Sequence, residues 1–390
     1  MDPVLADALI ALRRDLHRYP ELSGQEYRTC ERLERAFSAL VPIATVERVA
    51  DTGLVARVPG RDPSAPVVAV RGDIDALPIQ EETNLPFASE RPSIMHACGH
   101  DVHASWAVGA AALLARMPAE GDVLVVLQPA EETGTGARRV LESGALDEAR
   151  AIFGGHVDRR FALGQVVADE GPLAASTDSF TIELAGQGAH AARPHEARDP
   201  IVGTAALVTA LQTIVARRLN PADAGVVTVG TVRAGTASNV IPDRAEITGT
   251  LRAVAPETRL LLREELQRIA EGVAATHGLR ARVDFGDGTP PIVNPPEPTS
   301  WAREAVSALL GPGALVPLGA LNMGGEDFAF YMERMPGCFM RIGAREPGGV
   351  PIAAHSPHFH PAEESLFVGA AVLAATARVA SASLAAASGS

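Results

Sequence analysis

VVAVRGDIDALP (67–78) sends four apolar residues straight into two aspartates and a proline. A short apolar run bounded by a polar cluster reads as a strand buried on both faces. The same texture recurs in VLVVLQPAEETG (123–134) and in AIFGGH (151–156). Between these runs, 104–115 and 136–141 read as helix. Alternating strand and helix predicts an α/β layer built on a mixed, mostly parallel sheet flanked by helices. Ligands of such sheets bind beyond the carboxyl ends of the strands, where the ionisable residues of this chain gather.

Towards the N-terminus, Leu5, Leu9, Leu12 and Leu16 mark one amphipathic helix, and Tyr27, Cys30, Leu33, Phe37 and Leu40 a second. Past Ser176 the texture changes. Strands at 180–184, 226–232 and 245–251 and helices at 200–219 and 256–277 predict a compact α+β sandwich. TPPIVNPPEP (289–298) reads as a linker. The α/β texture then resumes with a helix at 301–310, a strand at 338–342 and a final helix after Pro361, ending in a frayed Ala/Ser tail. The expected organisation is therefore a discontinuous catalytic domain, 1–175 and 290–390, with a lid or dimerisation domain, 176–289, inserted into it.

The chain has 390 residues, consistent with two or three domains of about 150 each. Its composition, 47% apolar and 21% charged, is that of a globular protein. All 34 cationic residues are Arg, and the net charge of −13 argues against nucleic acid or an anionic membrane as partner. Cys30, Cys98 and Cys338 are too few and too far apart for a disulfide framework. The N-terminus lacks a signal-peptide pattern. The apolar stretch 366–377 is shorter than the ~20 residues a membrane span needs. These features point to the cytoplasm.

MHACGHDVH (95–103) packs three histidines, a cysteine and an aspartate into nine residues. A thiolate and an imidazole two residues apart suit zinc or another borderline metal, so Cys98 and His100 are the first candidate ligands. Alone, the segment would equally read as a buried Cys among surface histidines. Glu131 and Glu132, however, follow an apolar strand, and adjacent side chains there point in different directions. One can bind metal while the other, as general base, moves a proton from water to a leaving amine. We read Glu131 as base and Glu132 as ligand, roles that the residues alone leave exchangeable. His156, ending the next apolar run, falls on the same edge. So do Asp73 and Asp75, placed to orient a ligating imidazole. Any of His355, His358 and His360 could close the site. There is no P-loop and no HExxH. GTG at 134–136 is too short for a dinucleotide fingerprint, and Gly186–Gly188 and NMGGEDF (322–328) read as tight turns.

Taken together, the chain resembles the aminoacylase/carboxypeptidase family of co-catalytic metallopeptidases. Within it, the resemblance is to the amidohydrolase branch of hippurate hydrolases, N-acyl-amino-acid amidohydrolases and auxin-conjugate hydrolases. LHRYPELSGQE, GDIDALP, MHACGHD, QPAEE, GAHAARPH, ASNVIP, GTLR, GGEDFAFY and HSPHF follow the family's order over nearly the whole chain. The resemblance implies two divalent metal ions on Cys98, His100, Glu132, His156 and His355, with Glu131 as catalytic base. It implies that His190 polarises the scissile carbonyl, often in the partner subunit. Asn239 and Arg252 match positions near the substrate carboxylate or amide, and Gly325 and Glu326 a loop on the acyl side. His358 and His360 fall outside the ligand position. Two departures stand out. VDRRFALG after His156 lacks the family's usual proline, and Pro361–Ala362 replaces an acid after the HxPxF pattern.

The expected activity is metal-dependent hydrolysis of N-acyl amino acids. Zinc or manganese stands ahead of cobalt or nickel, and a homodimer ahead of a tetramer. The neighbouring alternative is a narrow biosynthetic N-acetyl-diamino-acid deacetylase. Less favoured are a thiol amidase using Cys98 with His100 as base, and a non-enzymatic scaffold.

Overall fold

The computed structural model describes residues 1–321 and 323–388. Asn322, within the NMGGEDF turn, and the last two residues of the Ala/Ser tail lie outside the described residues. The chain divides into two compact units. One comprises Met1–Gly171, Asn294–Ala320 and Asp327–Ser390, the other Pro172–Val293 and Leu321–Glu326.

The first unit is built on a seven-stranded sheet. Its strands are β1 (Thr45–Val49), β2 (Gly53–Val58), β3 (Val67–Asp73), β4 (Val123–Gln128), β5 (Ala149–Ala162), β6 (Val166–Val167) and Gly337–Arg345. They lie in the order β1-β2-β4-β3-β5-(Gly337–Arg345)-β6. The four central strands are mutually parallel, and the outer ones are antiparallel to their neighbours. Every residue of β3 and β4 is buried, their apolar runs and also Arg71, Asp73 and Gln128 at their carboxyl ends. Val68, Val70, Val123, Val125, Phe153 and Met340 share one core with the helices α1 (Pro3–Arg18), α2 (Tyr27–Leu40), α3 (His100–Arg116) and Ser365–Ser388. By strand alternation the opposite face carries Arg71, Asp73, Gln128, His156 and Phe339. The polar side chains of the sheet itself thus share one face, while α3 brings His100 and His103 from the other.

α1 opens with Asp2, whose carboxylate accepts from Val4 N–H at 3.0 Å, and with Pro3 in its first turn. Its leucine stripe is buried. α3 is buried nearly all round and lies close against β3. A Cβ on Gly72 would stand 2.3 Å from the His103 carbonyl oxygen. Only glycine lets the helix carrying His100 come this near to Asp73.

Four sequence expectations change. β5 does not end at His156 but runs to Ala162, because its ladder with Gly337–Arg345 continues through the pair His156 and Arg341. The hairpin β1–β2, whose first strand alternates polar and apolar residues, carries no long apolar run and was not anticipated. TPPIVNPPEP is not a plain linker: Ile292–Asn294 is a strand, and a helix begins at Pro296. The Ala/Ser tail continues its helix to Ser388 rather than fraying, since one side packs on the core.

The second unit is a four-stranded antiparallel sheet in the order Gly225–Ala234, Arg244–Ala253, Asp178–Ala185, Arg280–Phe285. Asp178–Ala185 buries alternate side chains, the mark of a sheet covered on one face. Phe180, Ile182, Leu184 and Ile247 pack with Leu207 and Leu211 of helix Pro200–Thr213 and with Leu262 and Leu266 of helix Pro256–Thr276. Among the described residues, two helical stretches, Pro200–Arg218 and Ser365–Ser388, are long and apolar enough to cross a membrane by length and composition. The second is built into the core of the first unit.

Candidate metal centre and active site

Four chain segments bring ligand-type side chains together at the carboxyl ends of β3 and β4 and on β5. Gly99, at φ +92°, turns the chain between Cys98 and the first residue of α3, so that Cys98 and His100 lie on the same site. The donor atoms of Cys98, His100 and His156 all lie within 4.8 Å of one another. The same holds for Cys98, Glu132 and His355, and for His100, Glu131 and Glu132. Cys98, His100 and Glu132 each belong to two of these groups, which therefore form one continuous cluster. His358 and His360 join no such group among the described residues; His358 bonds the Glu82 carbonyl at 3.0 Å and His360 the His358 carbonyl at 2.8 Å.

The imidazole tautomers follow from their outer partners. His100 Nδ1 faces the carbonyl oxygen of Asp75 at 2.9 Å and its carboxylate at 3.1 Å, which turns Nε2 inward. Asp75 also accepts from Ser23 at 2.7 Å and from the Glu132 N–H at 3.0 Å, so one carboxylate orients two candidate ligands. His156 Nδ1 donates to the Val157 carbonyl at 2.7 Å, leaving Nε2 3.2 Å from Cys98 Sγ. Burial first, then His103 and Arg341, hold His156 well below the usual histidine range, as a neutral lone-pair donor. His355 sits on a left-handed backbone, φ +67°, with Nε2 3.4 Å from Glu132.

Asp73 does not orient His100 through Nδ1. It accepts from His103 Nδ1 at 2.6 Å, and its other oxygen lies 3.7 Å from His100 Nε2. His103 Nε2 in turn accepts the Val157 N–H at 3.0 Å, so both its nitrogens are used in fixing β5 beside His156. Arg71, buried completely, binds Asp73, Gln128 at 2.9 Å and Asp327 at 3.0 Å. Asp327 also accepts from Gln128 at 2.8 Å and from the Ala137 N–H at 3.0 Å, and its own N–H points to Glu131 Oε1 at 3.4 Å. Sequence reasoning missed His103, Arg71 and Asp327. The available signal was an arginine within an otherwise apolar strand.

The donor set fits a metal. His100 Nε2 and Glu132 Oε1 are buried without a hydrogen-bond partner and lie 3.9 Å apart. Two buried polar atoms left without partners this near to each other are placed to receive a bound cation. Burial, assisted by Glu132, pushes the Cys98 thiol up to about 12. A divalent cation reverses that preference and holds a thiolate. The shift also opposes a free thiol nucleophile, and Cys98 stands beside both His156 and His100.

The remaining sequence-derived candidates lie in the second unit. His190 is exposed in a short ribbon, Ala189–His190 paired with Val240–Ile241, and Asn239 joins it through its carbonyl to the Ala191 N–H at 3.0 Å. Arg252 is half-buried on strand Arg244–Ala253. Gly325 packs so closely that a Cβ would stand 2.2 Å from Thr177, and Glu326 is buried.

Residues 69–379 match the model of Peptidase family M20/M25/M40. The chain is 41% identical over 370 residues to an N-acetylcysteine deacetylase of Bacillus subtilis, covering 94% of this chain and 95% of that protein. It is 36% identical to an N-acetyldiaminopimelate deacetylase of Geobacillus, covering 90% and 93%. Among solved structures, the YXEP protein of Bacillus subtilis, described as a dinuclear metal binding peptidase, superposes with a TM-score of 0.85 at 38% identity, covering 97% of this chain and 99% of that one. With this family match covering the ligand cluster, most of the first unit's sheet and the stretch 172–293 of the second unit, the chain belongs to Peptidase family M20/M25/M40 and is a metal-dependent amidohydrolase.

Proposed function

We propose that this enzyme hydrolyses the amide bond joining an acyl group to an amino acid. In this reading Cys98, His100, Glu132, His156 and His355 would hold two divalent ions, and Glu131 is the general base. The observation that carries it is the convergence of His100 Nε2 and Glu132 Oε1, both buried and unpartnered, beside Glu131. Relatives named as deacetylases of N-acetylcysteine and N-acetyldiaminopimelate support the substrate class. The second of these names keeps a narrow diamino-acid deacetylase as the alternative.

Bound divalent ions supply Lewis acidity, lowering the pKa of water and polarising a carbonyl. The rest falls to side chains. Glu131, steadied by the Asp327 N–H, takes the proton from the attacking water and delivers it to the departing nitrogen. Asp75 keeps His100 and Glu132 in their orientations. His190 donates to the developing oxyanion, help typically worth about 10²–10³ in rate. Asn239 and Arg252 are assigned to the substrate carboxylate or amide, and Gly325 and Glu326 to the acyl side. The thiolate favours zinc, and the carboxylate and imidazole donors also admit manganese. The reading includes a homodimer acting in the cytoplasm.

The test is a hydrolysis screen of N-acetyl, N-benzoyl and longer N-acyl amino acids, with N-acetyldiaminopimelate included and each metal added in turn. Turnover of several N-acyl amino acids supports the general reading. Turnover of the diamino-acid substrate alone selects the alternative, and turnover of none contradicts both.

A further inference from the structure

His355 differs from the other candidate ligands in how it is held. Its side chain is 54% exposed, whereas Cys98, His100 and His156 are buried. Its left-handed backbone is a conformation that a non-glycine residue keeps only when its surroundings impose it. On one side, the His355 N–H bonds the Ala97 carbonyl at 2.8 Å, and Phe359 is buried four residues on. On the other side stands Arg159, three residues beyond His156 on β5 and 2% exposed. Its guanidinium grips Glu346 with two bonds, 2.7 and 3.0 Å, donates to the Val350 carbonyl at 3.0 Å, and reaches the His360 carbonyl. All of these acceptors belong to the segment 346–360, on both sides of His355. The arginine stands in the VDRRFALG stretch, where the chain departs from the family pattern.

We propose that Arg159 is a positioning residue for the His355 side of the metal centre, tying the 346–360 segment to the strand that carries His156. The inference rests on the ligand set proposed above. A planar cation with several donors in a fixed fork suits this task, because it joins two carbonyls and a carboxylate at once. Loosening the tie releases the strained backbone of His355 and lowers affinity for the ion that needs it. Cys98, His100 and His156 keep their places and their orienting partners.

The experiment follows the metal content of the holoenzyme dialysed against a graded competing chelator, for wild type, Arg159→Met, Glu346→Gln and His355→Ala. Arg159→Met should lose one ion at a chelator concentration up to about 10-fold lower than wild type, the low end of what a direct partner of a ligand is worth, because Arg159 holds the segment and not the His355 side chain. The other ion should leave at the wild-type midpoint. Glu346→Gln, altered at the exposed end of the pair, should shift in the same direction by less, and it decides the matter if Arg159→Met does not fold. Equal retention of both ions in Glu346→Gln and Arg159→Met, or their parallel loss in Glu346→Gln, overturns the role of Arg159. His355→Ala separates the two readings: if it holds both ions as wild type does, the ligand assignment itself fails.

Discussion

Arg71 shows why only part of the site was legible in the sequence. Cys98, His100, Glu131, Glu132 and His156 announce themselves through residue type, just after apolar runs or at a helix start, although the strand of His156 continues beyond it. An arginine beside an aspartate instead reads as solvent-facing, and the partner that makes burial tolerable, Asp327, lies 256 residues away. Burying a charge costs several kcal/mol unless it is paired and hydrogen-bonded. Asp327→Ala leaves the Arg71 guanidinium short of one carboxylate and should destabilise the fold by about 3–5 kcal/mol. Glu31→Ala, which breaks the exposed pair with Arg35, should cost under about 1 kcal/mol. Urea unfolding of the two variants checks this; equal losses would mean that the Arg71 network is not a buried charge system.

At the scale of elements, the apolar runs of β3 and β4 gave the sheet, because a strand buried on both faces leaves an unbroken signature. The outer half of β5 escaped notice because GGHVDRRFA interrupts its apolar run, and its ladder depends on the distant strand Gly337–Arg345. The tie between α1 and α3 was equally silent. His17, buried on α1, faces Asp101 of α3 at 3.0 Å through Nδ1 and Glu81 at 3.2 Å through Nε2. Burial opposes its charge, but Asp101 and Glu81 outweigh burial and Arg13, and the His17 pKa is raised above 6.5. The neighbouring His96 is pushed down to about 4 by burial and contributes no charge near neutrality. A raised pKa gives stability that is full below about 6.5 and lost as pH climbs through the folded value. The stability gap between wild type and His17→Asn should therefore shrink as pH rises through and above the usual histidine range. Denaturant unfolding at a series of pH values measures it, and a gap that widens with pH contradicts the assignment.

At the scale of the whole molecule, the proposed homodimer makes a prediction of its own. If His190 serves the partner's metal centre, mixing the inactive variants His190→Ala and Glu131→Ala and reassembling them should restore about a quarter of the sites. Random pairing makes about half of the dimers mixed, with one complete site in each. No recovery in confirmed mixed dimers places His190 in its own subunit's site or outside catalysis. The second unit's sandwich was visible in its periodicity, although strand Arg280–Phe285, half-exposed throughout, was not. The central claim is that bound metal and one carboxylate base together perform the hydrolysis. Its most direct test is the metal content and turnover of Glu131→Gln beside wild type and Glu132→Gln. The account predicts that Glu131→Gln keeps both ions and loses turnover, while Glu132→Gln loses metal as well. Equal metal loss in the two variants, or turnover surviving in Glu131→Gln, would contradict it.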